Sequence, residues 1–560
     1  MPERPSEMAA RPRLALLALG LVVVLGAIAG QLTRLALIGR HDTRTAMAEP
    51  IARTFARPDI VDRHGRVLAT DVAAPSLYAD PALILDLDEM LEKLVQTLPE
   101  LNESELRRSL GDRSRRFAWI QRGLTPIEAQ RVHELGLPGL GFRREPKRVH
   151  PAGSLAGHII GHVNIDNKGL DGVERYIDEQ QGLDAVGGAV ASRLQAVRLS
   201  IDLGVQHAVS DELQAAMERY RAKGAGAVVM DAETGEILTA VSLPGIDPAR
   251  ASEALDPARI DRLHGGVYEL GSIFKALTIA MALEDGRANL DTMYDVTRPL
   301  EIGRHKITDL HPQRRPLSVR DVFLHSSNVG AGMLALEAGA EPQRAFLARL
   351  GLIDGMRTEV GPVTAPLKPQ RWDRIETVTI SYGHGLAVAP VQFVAAAATL
   401  VNGGFKVVPT FIKAKGETAR AEAALRTRLL SAETSAALRQ IMRLNVTAAH
   451  GTGRRAEVAG YRPGGKTGTA EMPGIGGYQT KAVIASFVAA MPMDAPRYVM
   501  LVSLFEPQGT PETRGQITAG VNAAPTTGRI IQRIGPILGL LPRRLDAVAT
   551  PAFDDGGDAK

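Results

Sequence analysis

The sequence contains no cysteine among its 560 residues. This absence excludes disulfide bonds, thiol catalysis and cysteine-ligated metal sites, but it leaves the cellular compartment open because an oxidising compartment does not require disulfides. The 13 histidines show none of the spacings that are typical of metal-ligating motifs. We therefore expect no metal and no other cofactor.

The sequence also lacks a large excess of charge of one sign. Its 66 basic and 62 acidic side chains leave a net charge of only +4. Because a nucleic-acid-binding surface usually appears as a large basic surplus, we expect no nucleic-acid partner. The apolar content of 45% is ordinary for a globular protein, and the length allows two to four domains of about 150 residues each.

Long apolar runs are absent apart from one near the start of the chain. Residues 14–30 are all apolar or glycine, and an extension to Thr33 adds few polar groups. Twenty helical residues span about 30 Å, which is the thickness of the hydrocarbon core of a membrane. The run predicts a transmembrane anchor at 14–33 after a short tail at 1–13. The alternative is a cleaved signal peptide, since residues 27–29 fit the small-x-small cleavage pattern.

The first soluble region, at 41–195, shows no catalytic pattern. Alternating apolar residues flank a turn at His64 and Gly65 and predict a short hairpin. Residues 80–140 are charged and have leucine periodicity, which predicts helices. Residues 153–172 are rich in glycine, asparagine and aspartate, which predicts a loop.

The second soluble region, at 222–545, is preceded by a predicted amphipathic helix at 203–221. The strands predicted from apolar β-type runs are 226–231, 236–242, 464–470, 482–490 and 498–505. Strands at both ends with helices between them predict an α+β fold, in which one antiparallel sheet is flanked by helices. The final residues, 546–560, are mostly small or acidic, and we expect them to be disordered.

A serine and a lysine lie three positions apart at the start of an apolar segment. Ser272 precedes a helix that ends near Gly286 and is apolar nearly all round, so the helix should be buried and Ser272 would be its N-cap. Lys275 within such a helix must be paired or lose its proton. Because the two side chains share a helix face, a neutral amine would lie beside a hydroxyl. The alternative is an N-cap serine and a lysine whose amino group reaches solvent.

A second pair of candidate residues follows a predicted helix at 318–325. The hydroxyl of Ser326 could relay a proton between a lysine and a leaving amine, and the amide of Asn328 could orient the substrate or Lys275. The same residues are equally typical of an ordinary helix end followed by a turn.

The third motif consists of Lys466, Thr467, Gly468 and Thr469. With the preceding glycines it also fits the phosphate-loop pattern G-x-x-x-x-G-K-[ST], which requires a helix directly after the threonine. A proline and four glycines within the next ten residues exclude that helix, and hence nucleotide binding. The motif instead predicts an edge strand, in which Lys466 could hold a carboxylate or polarise Ser326 and the glycine allows close approach of a ligand.

In this order the three motifs resemble the active-site triplet of penicillin-binding proteins and serine β-lactamases. The resemblance extends upstream. Residues 59–69, the segment from Arg148 to Gly153, and Gly172 with Glu174 are similar to the non-catalytic domain of class B penicillin-binding proteins.

Four residues before the candidate nucleophile refine this resemblance. Tyr268, Glu269, Leu270 and Gly271 resemble the septal, cell-division branch of the class, although Leu270 departs from the proline that is usual there. The elongation branch is the alternative. A β-lactamase of the same fold and a non-enzymatic β-lactam sensor are more distant alternatives, because no water-activating carboxylate can be assigned for the first and the catalytic set is too complete for the second.

The resemblance implies a peptidoglycan D,D-transpeptidase that cross-links stem peptides ending in D-Ala-D-Ala. Ser272 would attack the penultimate carbonyl group. Lys275 would be the base, and the alternative is Lys466 acting through Ser326. Ser326 and Asn328 would carry the proton to the departing D-Ala.

The resemblance also assigns substrate binding to the third motif. Lys466, Thr467 and Thr469 would bind the terminal carboxylate beside the open backbone of Gly468. The backbone N–H groups of Ser272 and Thr469 would bind the oxyanion. β-Lactams mimic the donor peptide and would acylate Ser272.

Location and partners also follow from the resemblance. It implies a pedestal domain of the dimerisation type at 41–195, a transpeptidase domain at 222–545, and a single-pass inner-membrane protein whose bulk is periplasmic and whose residues 1–13 are cytoplasmic. The expected partners are peptidoglycan stem peptides, β-lactam antibiotics, a lipid-II polymerase with glycosyltransferase activity, and membrane proteins of the divisome.

Overall fold

The computed structural model describes residues 19–20, 22–31, 33, 57–181, 195–414, 426–474 and 477–543. The chain divides into two compact units, of which the larger contains Arg57–Gly182 and Gln195–Lys560. The predicted tails at 1–13 and 546–560 lie outside the described residues.

The smaller unit, Met1–Ala56 with Leu183–Leu194, contains the segment predicted as a membrane anchor. Within the predicted segment 14–33, the structure describes residues 19–20, 22–31 and 33, which are helical and exposed. The other residues of the segment lie outside the described part of the chain. Among the residues that the structure describes, no helix has both the length and the apolar character needed to cross a membrane.

A sheet and five helices form the amino-terminal part of the larger unit, and three of these helices share a leucine-rich core with the sheet. Its strands are β1 (Ile60–Val61), β2 (Val67–Ala79), β3 (Ala118–Gln121), β4 (Leu140–Val149) and β5 (Val197–Arg198). The strand order is β3-β2-β1-β5, and β4 pairs with β2. The helices in this part are α1 (Leu87–Thr97), α2 (Glu103–Leu110), α3 (Pro126–Glu134), α4 (Gly157–Ile160) and α5 (Gly172–Gln181).

The predicted hairpin at the start of this part is confirmed. Ile60 lies opposite Ala69 across the β1–β2 pair, and Gly65 takes a φ of +89° in the turn, a conformation that glycine adopts at little cost. The helices predicted within 80–140 are also present, but β3 interrupts them. The segment predicted as a loop at 153–172 contains two short helical turns.

A second five-stranded sheet forms the centre of the carboxyl-terminal part. Its strands are β6 (Gly224–Asp231), β7 (Ile237–Leu243), β8 (Gly464–Gly474), β9 (Gly477–Met491) and β10 (Tyr498–Phe505). The order is β8-β9-β10-β6-β7, and all neighbouring strands are antiparallel. β8 is therefore an edge strand of this sheet. Short strand pairs join Met293–Tyr294 to Leu317–Ser318, Leu300–Ile302 to His305–Ile307, and Met356–Thr358 to Gly361–Val363.

Helices surround this sheet. They are α6 (Leu203–Tyr220), α7 (Lys275–Glu284), α8 (Val319–Leu324), α9 (Asn328–Ala338), α10 (Ala340–Arg349), α11 (Arg374–Ser381), α12 (Pro390–Val401), α13 (Ala432–Thr447) and α14 (Ala523–Ile537). Single 3-10 turns lie at Pro81–Leu83, Gly153–Ala156, Ala251–Leu255, Pro257–Arg259, Gly271–Phe274 and Arg454–Ala456. Alternate residues of β6 enter the core formed with α6 and α14, and α12 packs against β6 and β10. The predicted α+β architecture is confirmed, and the predicted strands are present with β8 and β9 longer than expected.

Charged side chains join the two parts of the larger unit. Arg66 donates from Nε to Asp62 at 2.6 Å and from Nη2 to Asp202, the N-cap of α6, at 2.9 Å. The backbone N–H of Leu203 also donates to Asp62 at 3.2 Å. Burial raises the pKa of Asp62, but the hydrogen bonds from Arg66 and from the backbone outweigh burial and hold that pKa below its usual value. A charged Asp62 thus ties the first hairpin to α6.

Candidate active site

Ser272 lies in a single turn of 3-10 helix, Gly271–Phe274, that leads into α7. The prediction that Ser272 is the N-cap of the long helix is wrong, because the 3-10 turn precedes α7 and no side chain caps it. Gly271 has a φ of +59°, and a Cβ atom built there would lie 2.7 Å from the carbonyl oxygen of Thr469. The turn therefore packs directly on β8, and Ser272 remains half-buried and reachable by a substrate.

The amino group of Lys275 is the centre of the site. The residue is 0% exposed. Its Nζ atom lies 2.8 Å from Ser272 Oγ, 3.1 Å from Ser326 Oγ, 2.7 Å from the carbonyl oxygen of Ser326 and 2.7 Å from Asn328 Oδ1. A neutral amine in this position accepts the hydroxyl proton of Ser272, whereas an ammonium group has no lone pair with which to accept it.

Ser326 stands between two amino groups. It lies in the short connection between α8 and α9 with a φ of +58°, in the left-handed region that costs a non-glycine residue about 1 to 3 kcal/mol. This backbone conformation presents the Ser326 hydroxyl to Lys275 on one side and to Lys466 on the other, at 3.1 Å and 3.0 Å. The hydroxyl can therefore pass a proton between the two amines.

Lys466 reaches the site from the edge strand β8, where it lies opposite Val488 of β9. The residue is 0% exposed. Besides Ser326, its Nζ atom donates to the carbonyl oxygen of Thr467 at 3.2 Å. The amino group also lies 5.7 Å from the centre of the Phe323 ring, so one side of its surroundings is apolar.

Burial controls the charge of both lysines. Burial lowers the pKa of Lys275 well below its usual range, the neighbouring Lys466 lowers it further, and Asp309 acts in the opposite direction. Burial lowers the pKa of Lys466 to about 7. No carboxylate within 4 Å pairs with either amino group among the described residues. A buried ammonium without such a partner loses its proton readily, so burial favours the neutral form of both amino groups.

The hydroxyl groups of the third motif have separate partners. Thr467 donates from Oγ1 to Thr452 Oγ1 at 2.8 Å, and Thr469 Oγ1 accepts from the backbone N–H of Ala519 at 3.0 Å. A Cβ atom built at Gly468 would lie 2.3 Å from the carbonyl oxygen of Leu270. Glycine is thus required at this position for β8 to approach the turn that carries the nucleophile.

Sequence reasoning did not identify Asp309. Its carboxylate accepts a hydrogen bond from Ser327 Oγ at 2.7 Å and from the backbone N–H of Val329 at 3.0 Å, and it also accepts from the backbone N–H of Asn328. The residue therefore fixes the first turn of α9, from which Asn328 reaches Lys275. No sequence signal marks it, because it follows a short strand pair and lies outside all three motifs.

Sequence reasoning also missed a polar chain behind β8. Asn445, which is 0% exposed on α13, accepts from Thr452 Oγ1 at 3.0 Å and donates to the carbonyl oxygen of Gly465 at 2.9 Å. Thr452 Oγ1 in turn accepts a hydrogen bond from Thr467 Oγ1.

The structure brings the three predicted motifs to one place. Hydrogen bonds connect Ser272, Lys275, Ser326, Asn328 and Lys466, and the remaining predicted residues follow Lys466 along β8. The exclusion of a phosphate loop is confirmed, because a strand and not a helix follows the lysine. The arrangement is that of a serine nucleophile with an adjacent neutral amine base.

Comparison with known proteins agrees with this geometry. Residues 54–188 match the penicillin-binding protein dimerisation domain, and residues 225–531 match the penicillin binding protein transpeptidase domain. The probable peptidoglycan D,D-transpeptidase FtsI of Caulobacter vibrioides is 38% identical over 493 residues, which cover 87% of this chain and 82% of the relative. The chain belongs to the penicillin-binding proteins. It is a class B penicillin-binding protein of the FtsI-like type.

Other penicillin-binding proteins support this assignment. The peptidoglycan D,D-transpeptidase FtsI of Escherichia coli strain K12 is 29% identical, with 92% of this chain and 88% of the relative covered. The crystal structure of penicillin binding protein 3 from Mycobacterium tuberculosis, complexed with aztreonam, has a TM-score of 0.65 and 25% identity. It covers 87% of this chain and 97% of that chain.

We predict that Asp309→Ala slows acylation by a fluorescent penicillin without abolishing it. Loss of the carboxylate frees the first turn of α9 and lets Asn328 move away from Lys275. A small misplacement of a group beside the reacting atoms costs about tenfold to a hundredfold in rate. The measurement is the second-order rate constant of labelling, together with the melting temperature. The matched control is Asp295→Ala, which removes a similar turn carboxylate, bonded to Thr297 at 3.0 Å. Equal rates in the two variants would contradict the positioning role.

Proposed function

We propose that this penicillin-binding protein catalyses peptidoglycan D,D-transpeptidation during septal cell-wall synthesis, with Ser272 as nucleophile. The observation that carries the proposal is the 2.8 Å contact between Lys275 Nζ and Ser272 Oγ in a site where the lysine is fully buried. A buried, neutral amine at this distance is a general base already in hydrogen-bond reach of the proton that it removes.

Acylation begins when Ser272 Oγ attacks the carbonyl carbon of the penultimate D-Ala and its proton passes to Lys275 Nζ. The oxyanion is held by the backbone N–H groups of Ser272 and Thr469. A Cβ atom built at Gly271 would lie 3.3 Å from Thr469 N, so the backbone next to Ser272 and the backbone of Thr469 are close enough to share one ligand oxygen.

The tetrahedral intermediate then expels the terminal D-Ala. The C–N bond breaks as the departing amine takes a proton, which Ser326 delivers from Lys275 with Asn328 orienting the amine. The products are free D-Ala and an ester on Ser272. An amine from a neighbouring stem peptide attacks this ester, gives up its proton to the same base, and forms the cross-link while Ser272 regains its hydroxyl proton.

Lys466, Thr467 and Thr469 are the residues that we assign to the terminal carboxylate of the donor, on either side of Gly468, whose missing side chain lets β8 pack against the turn before α7. The edge position of β8 supports this role, because a peptide can lie along the free edge of the sheet. Lys466 acting through Ser326 is the alternative first base, which the 3.0 Å contact between them also supports. β-Lactams present a reactive amide in place of the donor peptide and acylate Ser272 covalently.

Location and partners complete the proposal. We assign a transmembrane anchor to 14–33, a pedestal to 41–195 and a transpeptidase domain to 222–545, with the bulk of the chain in the periplasm. The partners proposed for the anchor and pedestal are a lipid-II polymerase and other membrane proteins of the divisome.

We predict that Ser272→Ala abolishes covalent labelling by fluorescent penicillin, because the ester cannot form without the hydroxyl. Labelling is measured on denaturing gels after incubation with the full-length protein, and the melting temperature checks the fold. The control is Ser210→Ala on α6, which leaves labelling intact. Labelling of the Ser272→Ala protein at the wild-type level would refute the nucleophile assignment.

We predict that the acylation rate falls as the pH is lowered. A lysine whose pKa is depressed is neutral above that pKa and protonated below it, so the rate should be flat at high pH and fall about tenfold per pH unit on the acid side. The turning point should lie well below the pH at which an ordinary lysine titrates, because burial lowers the pKa of Lys275 and holds the pKa of Lys466 at about 7. Stopped-flow acylation across a pH series measures it.

A paired substitution tests the origin of this profile. Lys275→Arg should lose acylation almost completely, because a guanidinium does not deprotonate in proteins, whereas Lys223→Arg at an exposed ion pair with Glu506 should keep the wild-type profile. A wild-type rate that continues to rise up to the pH at which an ordinary lysine titrates would exclude a depressed lysine as the base.

A further inference from the structure

Asp321, His325 and His450 form a cluster beside the active site. Each offers one ligand atom, and these atoms all lie within 4.8 Å of one another. Asp321 belongs to α8 and His325 is the C-cap of the same helix, so their spacing of four residues places both side chains on one helix face. His450 comes from the turn that follows α13.

The two histidine side chains lie close together without polar partners. Their rings are stacked, with centroids 4.8 Å apart and planes inclined by 11°. Within the described part of the chain, neither imidazole makes a hydrogen bond to another group. Asp321 and His325 are half-buried, whereas His450 is exposed and remains open to solvent.

We propose that Asp321, His325 and His450 bind a divalent transition-metal ion of the zinc class. Two imidazoles and one carboxylate are the ligand types that Zn²⁺ prefers, with a water molecule as the fourth ligand. No such site was expected from the sequence, because the third residue is contributed by a distant segment that no spacing pattern connects to α8.

The geometry requires only a small closure. Zinc bonds of about 2.0 to 2.2 Å in a tetrahedron place ligand atoms about 3.3 Å apart, against the present limit of 4.8 Å. Because the His450 side chain is exposed, it is free to rotate toward the other two ligands.

Arg315 orients the carboxylate of the cluster. Its Nη1 atom donates to Asp321 Oδ2 at 3.0 Å, which leaves Oδ1 as the oxygen for the metal. Hydrogen bonds of this kind to ligand side chains commonly fix their direction. Because Arg315 also neutralises part of the carboxylate charge, we expect the site to bind zinc more weakly than a site with an unshared carboxylate.

A metal ion here would connect two walls of the active site. His325 directly precedes Ser326, whose hydroxyl oxygen accepts hydrogen bonds from both lysines. His450 lies two residues before Thr452, which accepts a hydrogen bond from Thr467 at 2.8 Å. Binding would thus hold the end of α8 against the turn after α13. The role is structural, since no ligand contacts the nucleophile.

Zinc binding by the full-length, untagged protein in detergent solution tests the proposal. Isothermal titration with ZnCl₂ should give one equivalent for the wild type, and His450→Ala should weaken binding at least tenfold. At the same zinc concentration, the melting temperature of the wild type should rise more than that of His450→Ala. Cobalt(II) should give the intense visible absorption of a four-coordinate ion in the wild type only.

A matched control isolates the three-residue cluster. His207 and Asp211 form a similar pair four residues apart on α6, at 3.7 Å, and both are exposed. His207→Ala should bind zinc as the wild type does. Because His450 lies in an exposed turn, its variant tests the site even if His325→Ala disturbs the fold near Ser326. Absence of a zinc equivalent in the wild type, or equal affinity in the wild type and His450→Ala, would overturn the proposal.

Discussion

The active site depends on the burial of two lysine amino groups around one serine hydroxyl. Lys275 and Lys466 have no exposed surface, and both reach Ser326 Oγ within about 3 Å. Two ammonium groups at such a separation would repel each other and would both lack bulk water, so the protein holds at least one as a neutral amine. Because of this constraint, a neutral lysine is available as the base for Ser272, and the hydroxyl of Ser326 offers a route for the proton. A lysine can then become cationic again when a substrate carboxylate binds.

The fold imposes this arrangement through close backbone contacts. The edge strand β8 can approach the turn before α7 only because Gly271 and Gly468 carry no side chain, since a Cβ atom at either would collide with backbone oxygen. From the other side, Asp309 holds α9, and Asn445 with Thr452 holds β8. The catalytic side chains are therefore held by groups from several distant segments. A site held in this way needs little reorganisation during the reaction.

Much of this could be predicted from the sequence, for identifiable reasons. Apolar alternation located the strands of the main sheet, and Lys275 was conspicuous because it interrupts a helix that is apolar nearly all round. The 3-10 turn at Ser272 was not predictable from residue preference, since serine favours N-caps and the close approach of β8 is a tertiary contact. Asp309 and Asn445 were missed for a related reason: their importance lies in hydrogen bonds to distant residues, which no local pattern encodes.

The central claim, that Lys275 is neutral in the free enzyme, is most directly tested by its own titration. Lysine labelled with ¹³C at Cε, assigned by comparison with Lys275→Arg, reports the protonation of each amino group through its chemical shift. The account predicts that the Lys275 signal already shows a neutral amine at pH 8, well below the usual pKa of lysine, about 10.4. A Lys275 signal that remains that of an ammonium group up to pH 10 would contradict it.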